Sequence, residues 1–153
     1  MTQNADASQP IGTIPRRILV GFDGSALSEA AFEMALSLAA LCGARLAAVS
    51  VATLPEPPGE VEAQAALESA TEHYEETYQN LRRRAEEQGV PFESRVLVGH
   101  PAEQIIRLAT DTQTDLIVVG YRGRSRIREW VFGSVSRRVV AHAPCSVLVV
   151  RKS

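Results

Sequence analysis

Arg17-Ile-Leu-Val-Gly-Phe-Asp23 decides the fold. Its apolar residues run without alternation and end on a carboxylate. A strand with one wet face alternates apolar and polar residues, whereas a continuous run suits a strand covered on both faces of a parallel sheet. Three further runs share this character: Leu46-Ala-Ala-Val-Ser-Val51, Asp115-Leu-Ile-Val-Val-Gly120 and Cys145-Ser-Val-Leu-Val-Val150. Phe92-Glu-Ser-Arg-Val-Leu-Val98 is more mixed and reads as an edge or half-covered strand.

Helical patterns fill the gaps. Ser25 is placed to cap a helix that runs to Cys42, with Gly43 as its stop. Ala30, Met34, Leu38, Leu41 and Cys42 share one face at helical spacing and are the expected core side. The link Leu54-Pro-Glu-Pro-Pro-Gly59 leads to a longer helix over 60–88. Its narrow apolar stripe is Ala63, Leu67, Ala70, Tyr74, Leu81 and Ala85, and its acids lie mostly in the first two thirds with Arg82-Arg83-Arg84 near the end, an order that complements the helix dipole. Pro101 suits the first turn of a third helix, with Ile105, Ile106 and Ala109 inward. A fourth helix follows Gly133-Ser134 and ends at Ala143-Pro144. The order β-α-β-α-β-α-β-α-β predicts an α/β fold: a doubly wound, five-stranded, mostly parallel sheet with helices on both faces. The polar residues 1–15 read as a flexible tail and residues 16–153 as the domain.

Length and composition agree with one domain. The chain has 153 residues, 45% hydrophobic and 22% charged, at roughly 100–200 residues per domain. Its formal charge of −2 gives no basic footprint for nucleic acid. No uncharged apolar run reaches the ~20 residues of a membrane span, since the most apolar stretch, 35–54, is broken by Arg45. There is a single lysine, Lys152, near the C-terminus. A P-loop and a pyridoxal enzyme each need a lysine inside the fold, so both chemistries are excluded. His73, His100 and His142 have no metal-ligand spacing. Cys42 and Cys145 form no CxxC pair, and residues 1–15 lack a secretory pattern, so free thiols in a reducing, cytoplasmic setting are expected.

In doubly wound sheets, ligands bind beyond the carboxyl ends of the strands, where the winding reverses. After the fourth strand comes Gly120-Tyr-Arg-Gly123-Arg-Ser-Arg-Ile-Arg-Glu-Trp-Val-Phe-Gly133-Ser134-Val135. Glycine admits a ligand to backbone N–H groups, and a helix start presents unpaired N–H groups with partial positive charge. Together they suit a phosphate, with Ser134 adding a hydroxyl and Arg122, Arg124, Arg126 and Arg128 adding charge. Spacing alone equally fits a surface loop with turn glycines and a solvated basic run.

The pattern Gly120-x2-Gly123-x9-Gly133-Ser134 resembles the ATP-binding signature of the universal stress protein family. The first strand and turn (17–25), Gly99-His-Pro-Ala-Glu-Gln-Ile-Ile106 and His142-Ala-Pro-Cys-Ser-Val-Leu-Val-Val150 resemble further segments of it, in order from Arg16 to Arg151. The resemblance implies a Rossmann-like fold of the adenine-nucleotide alpha-hydrolase-like kind. It also implies roles. Asp23 contacts the ribose, although it also fits a cap on the following helix. Val51 meets the adenine, although it also fits plain core. Gly120 and Gly123 allow close approach, and Gly133, Ser134 and Val135 hold the phosphates. Tyr121 and His100 depart from the family pattern. Tyr121 is bulky where a small or polar residue is common, so that it shields, stacks on or crowds the site. His100 replaces a capping aspartate. Trp130 and Phe132 are expected beneath the loop.

The function so implied is an ATP- or AMP-binding regulatory module of the stress response, with ATP, ADP or AMP resident and Mg²⁺ held mainly through phosphates and water. The alternatives are a slow ATPase or nucleotide-transferring enzyme on the same fold, and a dimeric scaffold that has lost its nucleotide. The apolar last strand, Val147-Leu-Val-Val150, reads as a sheet edge that pairs with a second copy, unless residues 1–15 cover it.

Overall fold

The computed structural model describes residues 13–54, 59–122 and 132–152. Residues 1–12 of the tail, the prolines of the first link, Gly123 and Trp130 lie outside them. The chain runs β1 (Arg17–Gly21), α1 (Ala26–Cys42), β2 (Arg45–Ala52), α2 (Glu60–Glu87), β3 (Phe92–Val98), α3 (Pro101–Asp111), β4 (Leu116–Gly120), α4 (Ser134–His142) and β5 (Ser146–Val150). The strands form one sheet in the order β3-β2-β1-β4-β5, and every neighbouring pair is parallel. The α/β doubly wound expectation holds, and β3 is the edge strand its mixed sequence suggested.

The continuous apolar runs work as read. Ile18, Val20, Phe22, Leu46, Ala48 and Val118 join a core beneath α1 and α2. Their alternates Leu19, Val49, Ile117 and Val119 join a second core beneath α3 and α4. One run therefore supplies both faces.

Helix α1 begins and ends where its caps predict. Ser25 accepts a hydrogen bond from the Ser28 N–H at 3.1 Å, and Gly43 closes the helix at φ 66°. Of the expected inward face, Ala30, Leu38 and Cys42 pack partly buried against the core, but the fully buried positions are others. Ser28, Ala31, Phe32, Ala35, Leu36 and Ala39 are buried, whereas Met34 is 45% and Leu41 84% exposed. The helix is apolar nearly all round, so periodicity leaves its rotation open. Small residues decide it, because Ala31, Ala35 and Ala39 let the backbone lie close to the sheet.

Helix α2 buries Tyr78, Leu81 and Ala85; Tyr78 is absent from the sequence-derived stripe. Arg84 does more than complement the helix dipole. It bonds Glu29 at 3.2 Å, pairs with Glu33 and lies 4.9 Å over the Phe32 ring, fastening α2 to α1. Cys42 and Cys145 are free thiols, each half-buried against a different core. Burial raises the Cys145 thiol pKa above its ordinary value.

Candidate functional site

The winding reverses between β1 and β4. Strands β2 and β3 lie to one side of β1, and β4 and β5 to the other. At the carboxyl ends there, a cavity of about 120 Å³ is lined by Asp23, Val49, Val51, Ile105, Val119, Gly120, Arg122, Val135 and Ser136, among others. Four expected site residues, Asp23, Val51, Gly120 and Val135, thus share one cavity. Gly133 and Ser134, the cap and first residue of α4, are not among its lining residues and directly precede Val135, which is. Gly123 lies outside the described residues.

Asp23 reaches the cavity because β1 is extended past its last formal residue. The Phe22 N–H donates to the Val49 carbonyl at 2.8 Å, and the Ser50 hydroxyl donates to the Phe22 carbonyl at 2.6 Å. Gly24 then turns the chain at φ 81°, a conformation open to glycine and strained for other residues. One Asp23 carboxylate oxygen, Oδ1, accepts the Ser25 N–H at 2.9 Å. Asp23 therefore braces the turn, while the helix cap itself is Ser25.

The glycines owe their identity partly to the chain itself. A Cβ on Gly120 would lie 3.0 Å from Leu27 Cβ and 3.1 Å from the Leu27 backbone. Gly120 thus lets α1 approach β4, in addition to lining the cavity. A Cβ on Gly133 would lie 3.2 Å from Arg122 Cα and from the Tyr121 carbonyl oxygen. That same carbonyl accepts the Gly133 N–H at 3.0 Å, which folds the loop end back onto β4. Ser136, buried in the first turn of α4, donates to the Gly120 carbonyl at 2.6 Å and pins the helix start to the strand end.

Helix α4 begins on a glycine without a side-chain cap and has no acidic residue in its first turn. This helix start, with its partial positive charge, contributes Val135 and Ser136 to the lining that also holds Arg122. Val49, Val51, Ile105 and Val119 supply apolar walls and Asp23 a carboxylate. Such an array accommodates a flat apolar group, hydroxyls and an anion. Among the described residues, no group of three or more His, Cys, Asp and Glu is placed to hold a metal ion.

Tyr121 lies outside the cavity lining. Its ring packs 5.3 Å from that of Phe132, and the Arg151 guanidinium sits 4.3 Å from its centroid. His100 precedes α3 without a side-chain capping bond; its carbonyl accepts the Gln104 N–H at 3.0 Å. Sequence reasoning missed Ser50, Tyr78 and Ser136, because a lone hydroxyl within a strand or helix leaves no pattern.

Among the described residues no helix is long and apolar enough to cross a membrane. A universal stress protein of Thermus aquaticus is 38% identical over 141 residues, covering 89% of this chain and 98% of that protein. The universal stress protein UspA from Lactobacillus plantarum superposes with a TM-score of 0.76 at 26% identity, over 92% of this chain and all of that one. A universal stress protein in complex with cAMP superposes with a TM-score of 0.72 at 26% identity, over 92% of this chain and all of that one. The universal stress protein family model matches residues 15–151, and the chain belongs to that family.

Proposed function

We propose that this protein is a nucleotide-binding regulatory module that takes an adenine nucleotide, ATP, ADP or AMP, at the carboxyl ends of β1, β2 and β4. One observation carries the reading: apolar walls, the Asp23 carboxylate and the uncapped start of α4 converge on a single cavity at the reversal of the sheet. The complex of a similar universal stress protein with cAMP supports it, as an adenine nucleotide in a related fold.

Each chemical part has a partner. Val51 and the neighbouring apolar walls receive the adenine. Asp23 accepts hydrogen bonds from the ribose hydroxyls, an ionised acceptor for two donors. The cavity is smaller than the roughly 300–1,000 Å³ of ligand-sized pockets, so the phosphates extend past its rim. There Gly133, Ser134 and Val135 offer backbone N–H groups and a hydroxyl, and Gly120 and Gly123 leave room for approach. Any Mg²⁺ is held by phosphates and water, where it neutralises charge. The Cys42 and Cys145 thiols suit a reducing cytoplasm, and β5 offers an edge for a homodimer.

The deciding experiment is a calorimetric titration with ATP, AMP and GTP, with phosphate release followed on the same samples. Saturable binding of ATP and AMP over GTP is the expected result. An absence of binding at millimolar nucleotide, with none released on denaturation, overturns the reading and leaves the dimeric scaffold. Sustained phosphate release would move the protein to the slow ATPase.

A further inference from the structure

Tyr78 and Ser50 belong to none of the groups assigned to the nucleotide, yet they end in a chain of hydrogen bonds beside it. Tyr78 is 7% and Ser50 1% exposed. The Tyr78 hydroxyl and Ser50 Oγ are bonded to each other, and Ser50 donates its own proton to the Phe22 carbonyl at 2.6 Å. With that proton committed, the bond between the hydroxyls has Tyr78 as donor, and the Arg95 carbonyl is a second, longer acceptor for the same phenol at 3.4 Å. The Tyr78 ring is held at 6.2 Å from Phe22 and 5.7 Å from Tyr74. The sequence Tyr78, Ser50, Phe22 therefore links helix α2 through β2 to the last residue before Asp23.

We propose that Tyr78 is a positioning residue for the nucleotide: through Ser50 and the Phe22 carbonyl it fixes where Asp23 leaves β1, and so sets the hold on the ribose. The inference rests on the nucleotide reading above. It adds a specificity role for a side chain on a helix that contributes nothing to the cavity lining. Three features support it. Phe22 lies beyond the formal end of β1, and both its backbone groups are held to β2, one by Val49 and one by Ser50. The next residue is the carboxylate, which itself braces the turn through Ser25. Burial raises the Tyr78 phenol pKa, so the hydroxyl keeps its proton as a donor.

Two measurements on the full chain test this, using Tyr78→Phe, which keeps the ring, and Ser50→Ala as a second variant. The first is amide exchange without ligand. Phe22 and Ser25 should exchange about fivefold faster in Tyr78→Phe, the size of one net hydrogen bond, with Leu19 and Val20 unchanged. Unchanged exchange at Phe22 and Ser25 overturns the proposal whatever the ligand does. The second is calorimetry with AMP and with 2′,3′-dideoxy-AMP, which lacks the ribose hydroxyls. Wild type should prefer AMP. In Tyr78→Phe that preference should shrink about fivefold, with affinity for the dideoxy probe unchanged. In an Asp23→Ala background the same substitution should leave the ratio where it is. An equal loss for both probes means a general packing role and overturns the proposal. If wild type binds neither probe, the nucleotide reading itself fails and takes the ribose role with it. Faster exchange at Phe22 would then describe the fold alone.

Discussion

Asp23 faces two ways. Its Oδ1 braces the turn into α1, and the residue lines the cavity. Asp23→Ala should weaken ATP and AMP alike, by roughly ten- to a hundredfold if two charge-assisted bonds to the ribose are lost. A loss confined to ATP, read by calorimetry, would move Asp23 to the phosphate end. Gly120 carries a different expectation. Its missing Cβ makes room for Leu27, so Gly120→Ala should cost about 1–3 kcal/mol of stability by overpacking, visible as a lower thermal midpoint without ligand. Tyr78 adds a pH signature. Burial raises its phenol pKa above the ordinary 10.0, so its stabilising share is complete below pH 10 and is lost as pH rises beyond that. Wild type should lose stability above pH 10 more steeply than Tyr78→Phe in denaturant titrations at stepped pH. At this scale the places of Asp23 and Gly120 at strand ends were legible, and both line the cavity. The reason for Gly120 was not legible, because it lies in Leu27, 93 residues earlier. Ser50 and Ser136 were silent because a hydroxyl declares its role only through its partner.

Elements show the same division between local and distant information. Both ends of α1 were legible, since Ser25 and Gly43 act on their own backbone. Its rotation was not. Aliphatic residues surround the helix, and the choice between Leu41 and Leu36 as core is made by the sheet it meets. Leu41→Gln should therefore change stability by less than about 0.5 kcal/mol, whereas Ala35→Leu, at a fully buried position, should cost about 1–3 kcal/mol. Chemical denaturation of the two variants decides, and the opposite order would restore the face expected from periodicity. Arg84 teaches the converse. Within its own helix it reads as dipole complement, but α1 supplies Glu29, Glu33 and the Phe32 ring, and these make it a fastener between helices. The start of α4 was legible because its features, a glycine cap and no first-turn acid, are local.

For the molecule as a whole, the open question is its edge. In the sheet order β3-β2-β1-β4-β5, strand β5 pairs among the described residues on one side only, with β4. Val147, Leu148 and Val149 are half-buried rather than charged. Natural edges are blunted by lysine, proline, bulges or covering elements, and residues 146–150 contain neither lysine nor proline. Two β5 strands related by a two-fold axis would run antiparallel and satisfy each other's backbone groups, an isologous contact in which each copy offers the same patch. The strand is also tied to the proposed nucleotide site. The Tyr121 N–H donates to the Val150 carbonyl at 2.8 Å, and Arg151 stacks on the Tyr121 ring. The expected outcome is a dimer at micromolar concentration by sedimentation, and a monomer on replacing Val147 with lysine, whose long side chain carries its charge out to the strand's rim. Nucleotide affinity should persist in that monomer, since β5 contributes no residue to the cavity lining. A wild-type chain that sediments only as monomer would end the dimer proposal. A monomeric Val147→Lys variant that no longer binds nucleotide would instead place the site under the control of assembly.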